Sequence, residues 1–156
     1  MAKTNKDNKT PVRVDIRNRK ASHEFHFLEN YTAGIMLAGT EVKSVREGKV
    51  NLGEAYGVFL GNDLYVRNMH ISTYENGTHY NHVPIRDRKL LLQKRELKKL
   101  QDHAEEAGLT IVPTRMFLSE RGFIKLDIAL ARGKKLYDKR EDLKAKDVKR
   151  EMERDD

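Results

Sequence analysis

Hydrophobic and polar residues alternate with a period of two in several short segments of the chain, as in strands with one buried face. Residues 24–37 alternate around an interruption at Glu29-Asn30, which predicts one long bent strand or two short ones, with order beginning near Ser22. Residues 56–60 and 64–71 predict a hairpin around the turn Gly61-Asn62-Asp63. Two more strands are predicted over residues 110–118 and 123–131.

A helical period replaces this alternation in two places. After Leu90-Leu91-Leu92 the chain leads into a predicted helix that ends just before Gly108 and presents one apolar face, formed by Leu97, Leu100, Ala104 and Ala107. Thr40 is expected to cap a shorter helix, with Glu41 favourable for its dipole and Gly48 as its stop. The apolar face of this helix would comprise Val42 and Val45.

These elements predict a mainly β protein with flanking helices. About six short strands interrupted by one long helix indicate a small closed or partly closed β-barrel, and the OB type is our leading architecture. A chain of 156 residues fits one domain. We expect a flexible basic arm over residues 1–17, the barrel over 18–132 and a tail over 133–156, with one long functional or mobile loop over 72–88.

The excess positive charge lies at the two ends of the chain. Of the formal net charge of +7, residues 1–20 contribute +5, residues 21–131 contribute none and residues 132–156 contribute +2. Charge that served solubility alone would be spread over the surface, whereas basic ends are typical of segments that neutralise phosphates. The tail has too few apolar residues for a core of its own, so we expect it to fold only on a partner.

Several classes of protein are disfavoured. No apolar run approaches the roughly 18 to 20 residues of a membrane-spanning helix, and the N-terminus lacks the apolar stretch of a signal peptide, so we expect a cytoplasmic protein. There is no cysteine to ligate a metal, and no nucleophile elbow, phosphate-binding loop or dinucleotide fingerprint. His79 and His82 lack a carboxylate or cysteine at metal-ligand spacing. We therefore expect neither catalysis nor a cofactor.

Three basic clusters leave alternatives open. Arg17, Arg19 and Lys20 could bind phosphates, or they could belong to a solvated arm that only aids solubility. Lys43 and Arg46 lie on neighbouring turns and could also hold phosphates, but Glu41 could equally pair with them in an ordinary surface cluster that includes Lys49. In the tail, Tyr137 could stack on a base between its cationic neighbours, or it could pack back onto the barrel with Leu136.

Four motifs, in this order and spacing, resemble the SmpB family of SsrA-binding proteins over essentially the full chain. They are Asn18-Arg19-Lys20-Ala21, Ala33-Gly34-Ile35 followed by Gly39-Thr40-Glu41-Val42-Lys43-Ser44-Val45-Arg46, Arg88-Lys89-Leu90-Leu91-Leu92, and Gly133-Lys134-Lys135-Leu136-Tyr137-Asp138-Lys139-Arg140. The resemblance implies an OB-like barrel that has no enzymatic activity and binds tmRNA, the RNA that rescues stalled ribosomes in trans-translation. It also implies elongation factor Tu as a partner in the delivery complex.

The resemblance further implies two sets of site residues. The positions that would hold the tRNA-like part of tmRNA, or support that surface, are Asn18, Arg19, Lys20, Glu41, Lys43, Ser44, Arg46, Lys89 and Leu91. The tail would be disordered when free and helical in the decoding centre and empty message channel of the small ribosomal subunit. The matching tail positions are Gly133, Lys134, Lys135, Tyr137, Asp138, Lys139, Arg140 and Lys144.

The chain departs from the family pattern at two positions. Thr32 stands where many members have an acidic residue, and Tyr137 stands where some have histidine. We therefore assign no RNA contact to Thr32, and no protonation role to the tail aromatic. The runner-up function is a general single-strand-binding OB module, for which the pair Tyr65 and Arg67 is the one suggestive instance of an aromatic beside a cation along a strand. An RNA-processing enzyme would depend on His79 and His82 alone.

Overall fold

The computed structural model describes residues 13–75, 81–106, 108–135 and 139–140. Within these residues the elements, in chain order, are nine strands and three helices: β1 Asp15–Arg17, α1 Arg19–Glu24, β2 Phe25–Ile35, α2 Gly39–Arg46, β3 Val50–Asn51, β4 Tyr56–Leu60, β5 Asp63–Arg67, β6 His70–Ile71, β7 Arg88–Leu91, α3 Lys94–Ala104, β8 Leu109–Leu118 and β9 Ile124–Gly133. The protein is therefore mainly β with a few helices, as predicted.

Six of the strands pair in a closed ring. The order is β8, β4, β5, β7, β2 and β9, and the ring closes because β9 also pairs with β8. Every neighbouring pair in the ring is antiparallel. β1 joins outside the ring on β8, while β3 and β6 form a separate two-stranded sheet. The strand predicted over residues 24–37 is a single strand, β2, with a register shift between Phe27 and Glu29 close to the predicted interruption.

The core fills the interior of the ring. Alternate residues of β9 point inward, so Leu126, Ile128 and Leu130 are buried while Lys125 and Asp127 lie on the outer face. α3 contributes Leu100, which is fully buried, and Leu97 and Ala104 pack against the same cluster. The apolar face predicted for this helix is therefore confirmed for three of its four residues, and Ala107 lies outside the described part.

Three predictions of local structure are wrong. Order begins before Ser22, because Val14 is buried and β1 pairs with β8, so residues 14–17 belong to the folded body. Leu90 and Leu91, which precede the predicted helix as expected, belong to a strand that completes the ring, and this is an addition to the prediction rather than an error. The predicted hairpin is confirmed over β4 and β5, but β6 leaves it to join the second sheet.

The third error concerns the start of α2. The helix is capped at Ala38 rather than Thr40, and the side chain of Glu41 accepts a hydrogen bond of 2.8 Å from the Ala38 N–H. Thr40 Oγ1 lies instead 2.9 Å from the ring of His82. Gly48 follows the helix with a φ of 76°, as expected of the residue that stops it.

Candidate nucleic-acid interface

Asn18 fixes α1 to the body. Its side-chain oxygen accepts a hydrogen bond of 3.0 Å from the Ala21 N–H, which caps the helix. Its Nδ2 donates to the carbonyl oxygens of Leu52 at 3.0 Å and Pro113 at 2.8 Å. The residue is only 4% exposed, so this predicted RNA-contacting side chain holds three distant segments together.

Replacing Asn18 by Ala removes the cap and leaves two buried carbonyl groups without their donor. We expect the free energy of unfolding to fall by about 2 to 3 kcal/mol, measured by urea denaturation. Asn18→Ser is the matched control, since its hydroxyl can keep the cap but is too short to reach the two carbonyl groups, and it should recover part of the loss. Equal stability of Asn18→Ala and the unmodified protein would contradict the role assigned to this side chain.

α1 presents two cations to solvent and touches the start of the tail. Arg19 and Lys20 are exposed, and Lys20 pairs with Glu54, whose hydrogen bond raises the pKa of the lysine. Lys134 donates its backbone N–H to the Glu24 carbonyl at 2.7 Å and its Nζ to the Ser22 carbonyl at 3.1 Å. The exposed cations and the first residues of the tail are therefore attached to the same short helix.

Glu41 is at the centre of a buried ion network rather than a surface cluster. Both of its oxygens lie inside the protein, with none of the side chain exposed. Arg88, which is also fully buried, donates Nε to Glu41 Oε2, and Arg86 donates its Nε to the same oxygen at 3.2 Å. Arg88 also donates to the Met69 carbonyl at 2.6 Å. The network joins α2 to β7 and to the segment between β5 and β6.

Charge pairing governs the ionisation of this network. Burial alone would raise the pKa of Glu41, but hydrogen bonds from Arg86, Ala38 and Arg88 outweigh it and hold that pKa below its ordinary value. Burial lowers the pKa of Arg88, and the Glu41 carboxylate opposes the shift. Because a guanidinium keeps its proton throughout the ordinary pH range, the pair is charged at neutral pH.

The other α2 candidates have different environments. Lys43 Nζ lies 5.3 Å from the ring centroid of Tyr74, and Arg46 is exposed. Ser44 is buried, and its Oγ has no hydrogen-bond partner among the described residues. Of the two alternatives left open for α2, the surface cluster in which Glu41 pairs with Lys43 and Arg46 is therefore excluded, because the helix turns Glu41 inward while these two cations face outward.

Lys89 and Leu91 lie on the outside of the ring, on β7. Lys89 is held 3.6 Å from Asp63, and Leu91 is 49% exposed. Leu91 lies opposite Gly34 on β2, which in turn lies opposite Lys125 on β9. A shallow apolar depression at this place is bordered by Phe123, which is 64% exposed.

The outer face continues from β9 to β1. Asp127 lies opposite both Thr32 and Arg115, and Thr32 donates a hydrogen bond of 2.6 Å to its carboxylate. The Arg115 guanidinium lies 4.5 Å from the ring centroid of Phe117 and donates to Asp15 at 2.8 Å. Sequence reasoning did not select Phe117, Phe123 or Arg115, because along β8 and β9 it separated outward from inward positions only over residues 124–131.

The tail candidates are only partly described. Gly133 ends β9 opposite Phe25, and Lys139 donates its N–H to the Lys135 carbonyl at 3.2 Å. Arg140 is exposed. Three tail candidates lie outside the described residues, namely Tyr137, Asp138 and Lys144.

The histidines do not combine in a catalytic or metal site in the described part of the chain. His82 lies with its ring nitrogens 2.9 Å from Thr40 Oγ1 and 2.9 Å from the Ile71 carbonyl, which fastens the segment before β7. His79 lies outside the described residues. Within those residues there is no group of three or more histidine, aspartate or glutamate side chains suited to a metal, and no helix has the length and apolarity to cross a membrane.

Comparison with known proteins gives a consistent result. The family described as SmpB protein matches residues 15–156. An SsrA-binding protein of Cytophaga hutchinsonii is 56% identical over 141 residues, which cover 90% of this chain and 92% of that protein. One from Trichodesmium erythraeum is 53% identical and covers 88% of each chain. A solved structure described as "tmRNA-SmpB: a journey to the center of the bacterial ribosome" matches with a TM-score of 0.68 and 46% identity, covering 79% of this chain and 86% of the other.

Proposed function

The chain belongs to the SmpB protein family, and from this membership we propose that it binds tmRNA and acts with it on the ribosome in trans-translation. The family is one of RNA-binding proteins rather than enzymes. We further propose that the protein has no catalytic activity of its own, that its place of action is the cytoplasm and that elongation factor Tu takes part in delivery.

One observation carries the proposal furthest, namely the position of α1 between body and tail. The exposed Arg19 and Lys20 stand on this helix, and the carbonyls of Ser22 and Glu24 hold Lys134 at the start of the tail. An RNA held by α1 therefore lies beside the point from which the tail departs. This arrangement suits a protein that must place an RNA and its own terminus in one binding site.

We propose that the closed ring of six strands is an OB-like barrel and that body and tail have separate tasks. The body over residues 18–132 would bind the tRNA-like part of tmRNA, and residues 133–156 would form a helix in the decoding centre and empty message channel. The composition of the tail supports this division, because its charged residues outnumber its apolar ones and its cations suit ribosomal RNA.

Burial separates two roles among the proposed RNA-binding residues. Asn18, Glu41 and Ser44 are buried, so we propose that they support the surface. The exposed or half-exposed residues would make the direct contacts, and these are Arg19, Lys20, Lys43, Arg46, Lys89 and Leu91. The runner-up, a general single-strand-binding module, depended on Arg67 beside Tyr65 as a cation that could bind nucleic acid. It loses support because Arg67 is already paired, donating two hydrogen bonds to Asp87 at 3.1 and 2.9 Å.

If Arg19 and Lys20 contact phosphates, changing both to Ala should make tmRNA binding less sensitive to salt. Each lost phosphate contact removes counterion release, so the slope of log affinity against log salt should fall by about 1 to 2. The slope is measured by titrating labelled tmRNA at four salt concentrations. Glu54→Gln is the control, since it frees Lys20 without removing a cation. An unchanged slope in the double variant would falsify the assignment.

The proposed function itself has a simple test. RNA recovered from the protein purified from its source cells at low salt should contain one discrete structured species, tmRNA. A heterogeneous population of single strands would favour the general binding module instead. Absence of bound RNA together with nuclease activity that depends on His82 would favour an RNA-processing enzyme.

A further inference from the structure

The first two turns of α3 carry a cluster of basic residues to which the family motifs assign no role. Lys94, Arg95, Lys98 and Lys99 fall within six residues. At 3.6 residues per turn these four positions cover an arc of about 140° on the side opposite the buried Leu97 and Leu100. All four are exposed, but Lys99 pairs with Glu29, so the other three, Lys94, Arg95 and Lys98, define what we call the α3 patch.

The α3 patch is not explained by interactions within the described part of the protein. Neither Lys94, Arg95 nor Lys98 has an acidic partner within 4.0 Å among the described residues. The nearby Glu96 is already used, because it accepts the Gln93 N–H at 3.2 Å and caps the helix. Asp102 lies one turn beyond Lys98 but does not pair with it within that distance.

The position of the α3 patch in the helix is unfavourable for the isolated protein. Lys94 and Arg95 are the first two residues of α3, where the positive end of the helix dipole repels cations and favours carboxylates. Lys94 and Lys98, four residues apart, also repel each other. Because these cations stabilise neither the helix nor a neighbouring element, we interpret the cluster as a binding site for a negatively charged partner.

The fold places the α3 patch next to the proposed RNA surface. Leu91, half exposed at the end of β7, lies three residues before α3 begins. Lys99 extends from the helix to Glu29 on β2 at 3.5 Å. The patch therefore begins within three residues of Leu91, at the edge of the proposed RNA surface.

We propose that the α3 patch binds the phosphate backbone of tmRNA and extends the interface beyond the motif residues. The inference rests on the proposed function. Lys94, Arg95 and Lys98 supply three cations whose repulsion is relieved when phosphates approach, so their contribution to binding is electrostatic and independent of base sequence.

The test compares two triple variants. Lys94→Gln/Arg95→Gln/Lys98→Gln removes the charge, and Lys94→Arg/Arg95→Lys/Lys98→Arg keeps it. Affinity for a transcript of the tRNA-like part of tmRNA, without ribosomes, is titrated at several salt concentrations. The neutral variant should bind at least tenfold more weakly near physiological salt, with a log-log slope smaller by about 2 to 3. The charge-preserving variant should match the unmodified protein.

Thermal unfolding separates a binding role from a structural one. The neutral variant should melt at the same temperature as the unmodified protein or higher, because unfavourable charges leave the first turn. A lower melting temperature that accounts for the lost affinity would overturn the proposal, as would unchanged affinity and slope. A defect that appears only with ribosomes present would also overturn it. Failure of the unmodified protein to bind the transcript would instead refute the proposed function.

Discussion

Replacing Glu41 by Gln should destabilise the body by about 3 to 5 kcal/mol, because it leaves the buried Arg88 without its counter-charge. The loss would be a large part of the roughly 5 to 15 kcal/mol that a domain of this size possesses. Urea unfolding measures it directly. We also expect weaker tmRNA binding, since the network joins α2, with Lys43 and Arg46, to β7, with Lys89 and Leu91.

Two comparisons make this prediction specific to burial. Arg86, on the same carboxylate, has a side chain that is 39% exposed, so Arg86→Gln should cost much less than Glu41→Gln. Arg88→Met should also be milder than Glu41→Gln, because a buried apolar side chain leaves no unpaired guanidinium, and Glu41 keeps Arg86. If Arg86→Gln and Glu41→Gln were equally destabilising, the charge of Arg88 would not be the cause.

The pH dependence of stability should also test the ion network formed by Glu41, Arg86 and Arg88. The pKa of Glu41 is lower in the folded protein than in the unfolded chain, so the carboxylate contributes stability above its unfolded pKa, near 4.5. This stability is lost as the pH falls through the lower, folded value. The stability of the unmodified protein should therefore decline on acidification more steeply than that of Glu41→Gln, which cannot titrate at this position.

The second large effect is expected from removing the tail. A chain that ends at Lys135 should bind tmRNA nearly as well as the whole protein and yet fail to support peptide tagging on stalled ribosomes. Residues 136–156 contain seven basic and eight acidic residues, so their loss hardly changes the net attraction to RNA. The measurements are tmRNA affinity and transfer of alanine from charged tmRNA on a ribosome with an empty message channel.

The place of the cut matters. A chain that ends at Arg132 also removes Gly133, the last residue of β9, and both hydrogen bonds of Lys134 to α1. We expect this shorter chain to keep its fold but to bind tmRNA more weakly than the one that ends at Lys135. Alanine transfer by the longer truncation would refute the insertion of the tail, and so would a stable helix beyond Tyr137 in the nuclear magnetic resonance spectrum of the free protein.

The elements predicted from sequence were those whose pattern repeats over several turns or strand residues. α3 shows its face at Leu97, Leu100 and Ala104, and β9 alternates from Ile124 to Ile128, so periodicity sufficed. β1 has three residues, and α1 has six with only Ala21 buried as an apolar contact, which is too short for any period to appear. The position of β1 is determined by its pairing with β8, and that of α1 by the hydrogen bonds of Asn18.

The supporting residues of the site were harder to predict for a related reason. Glu41 and Arg88 are 47 positions apart, and Asn18 and Pro113 are 95 apart, so no local pattern connects them. The motifs that resemble the family selected Asn18 and Glu41, but their burial follows only from the closed ring. The α3 patch was visible as a run of charge, and its exposure required the orientation of α3.

The pairing of β9 with both β2 and β8 has a consequence during synthesis. A chain that grows from its N-terminus cannot close the ring until β9 has been added, because β9 follows all the other strands of the ring in the sequence. Before that moment β2 and β8 each present an open edge, which can pair with other chains. A message cut before the codon for Ile124 would therefore produce an open sheet in which the β2 and β8 edges lack their strand partner, rather than a smaller folded domain. We expect such a fragment to aggregate or be degraded.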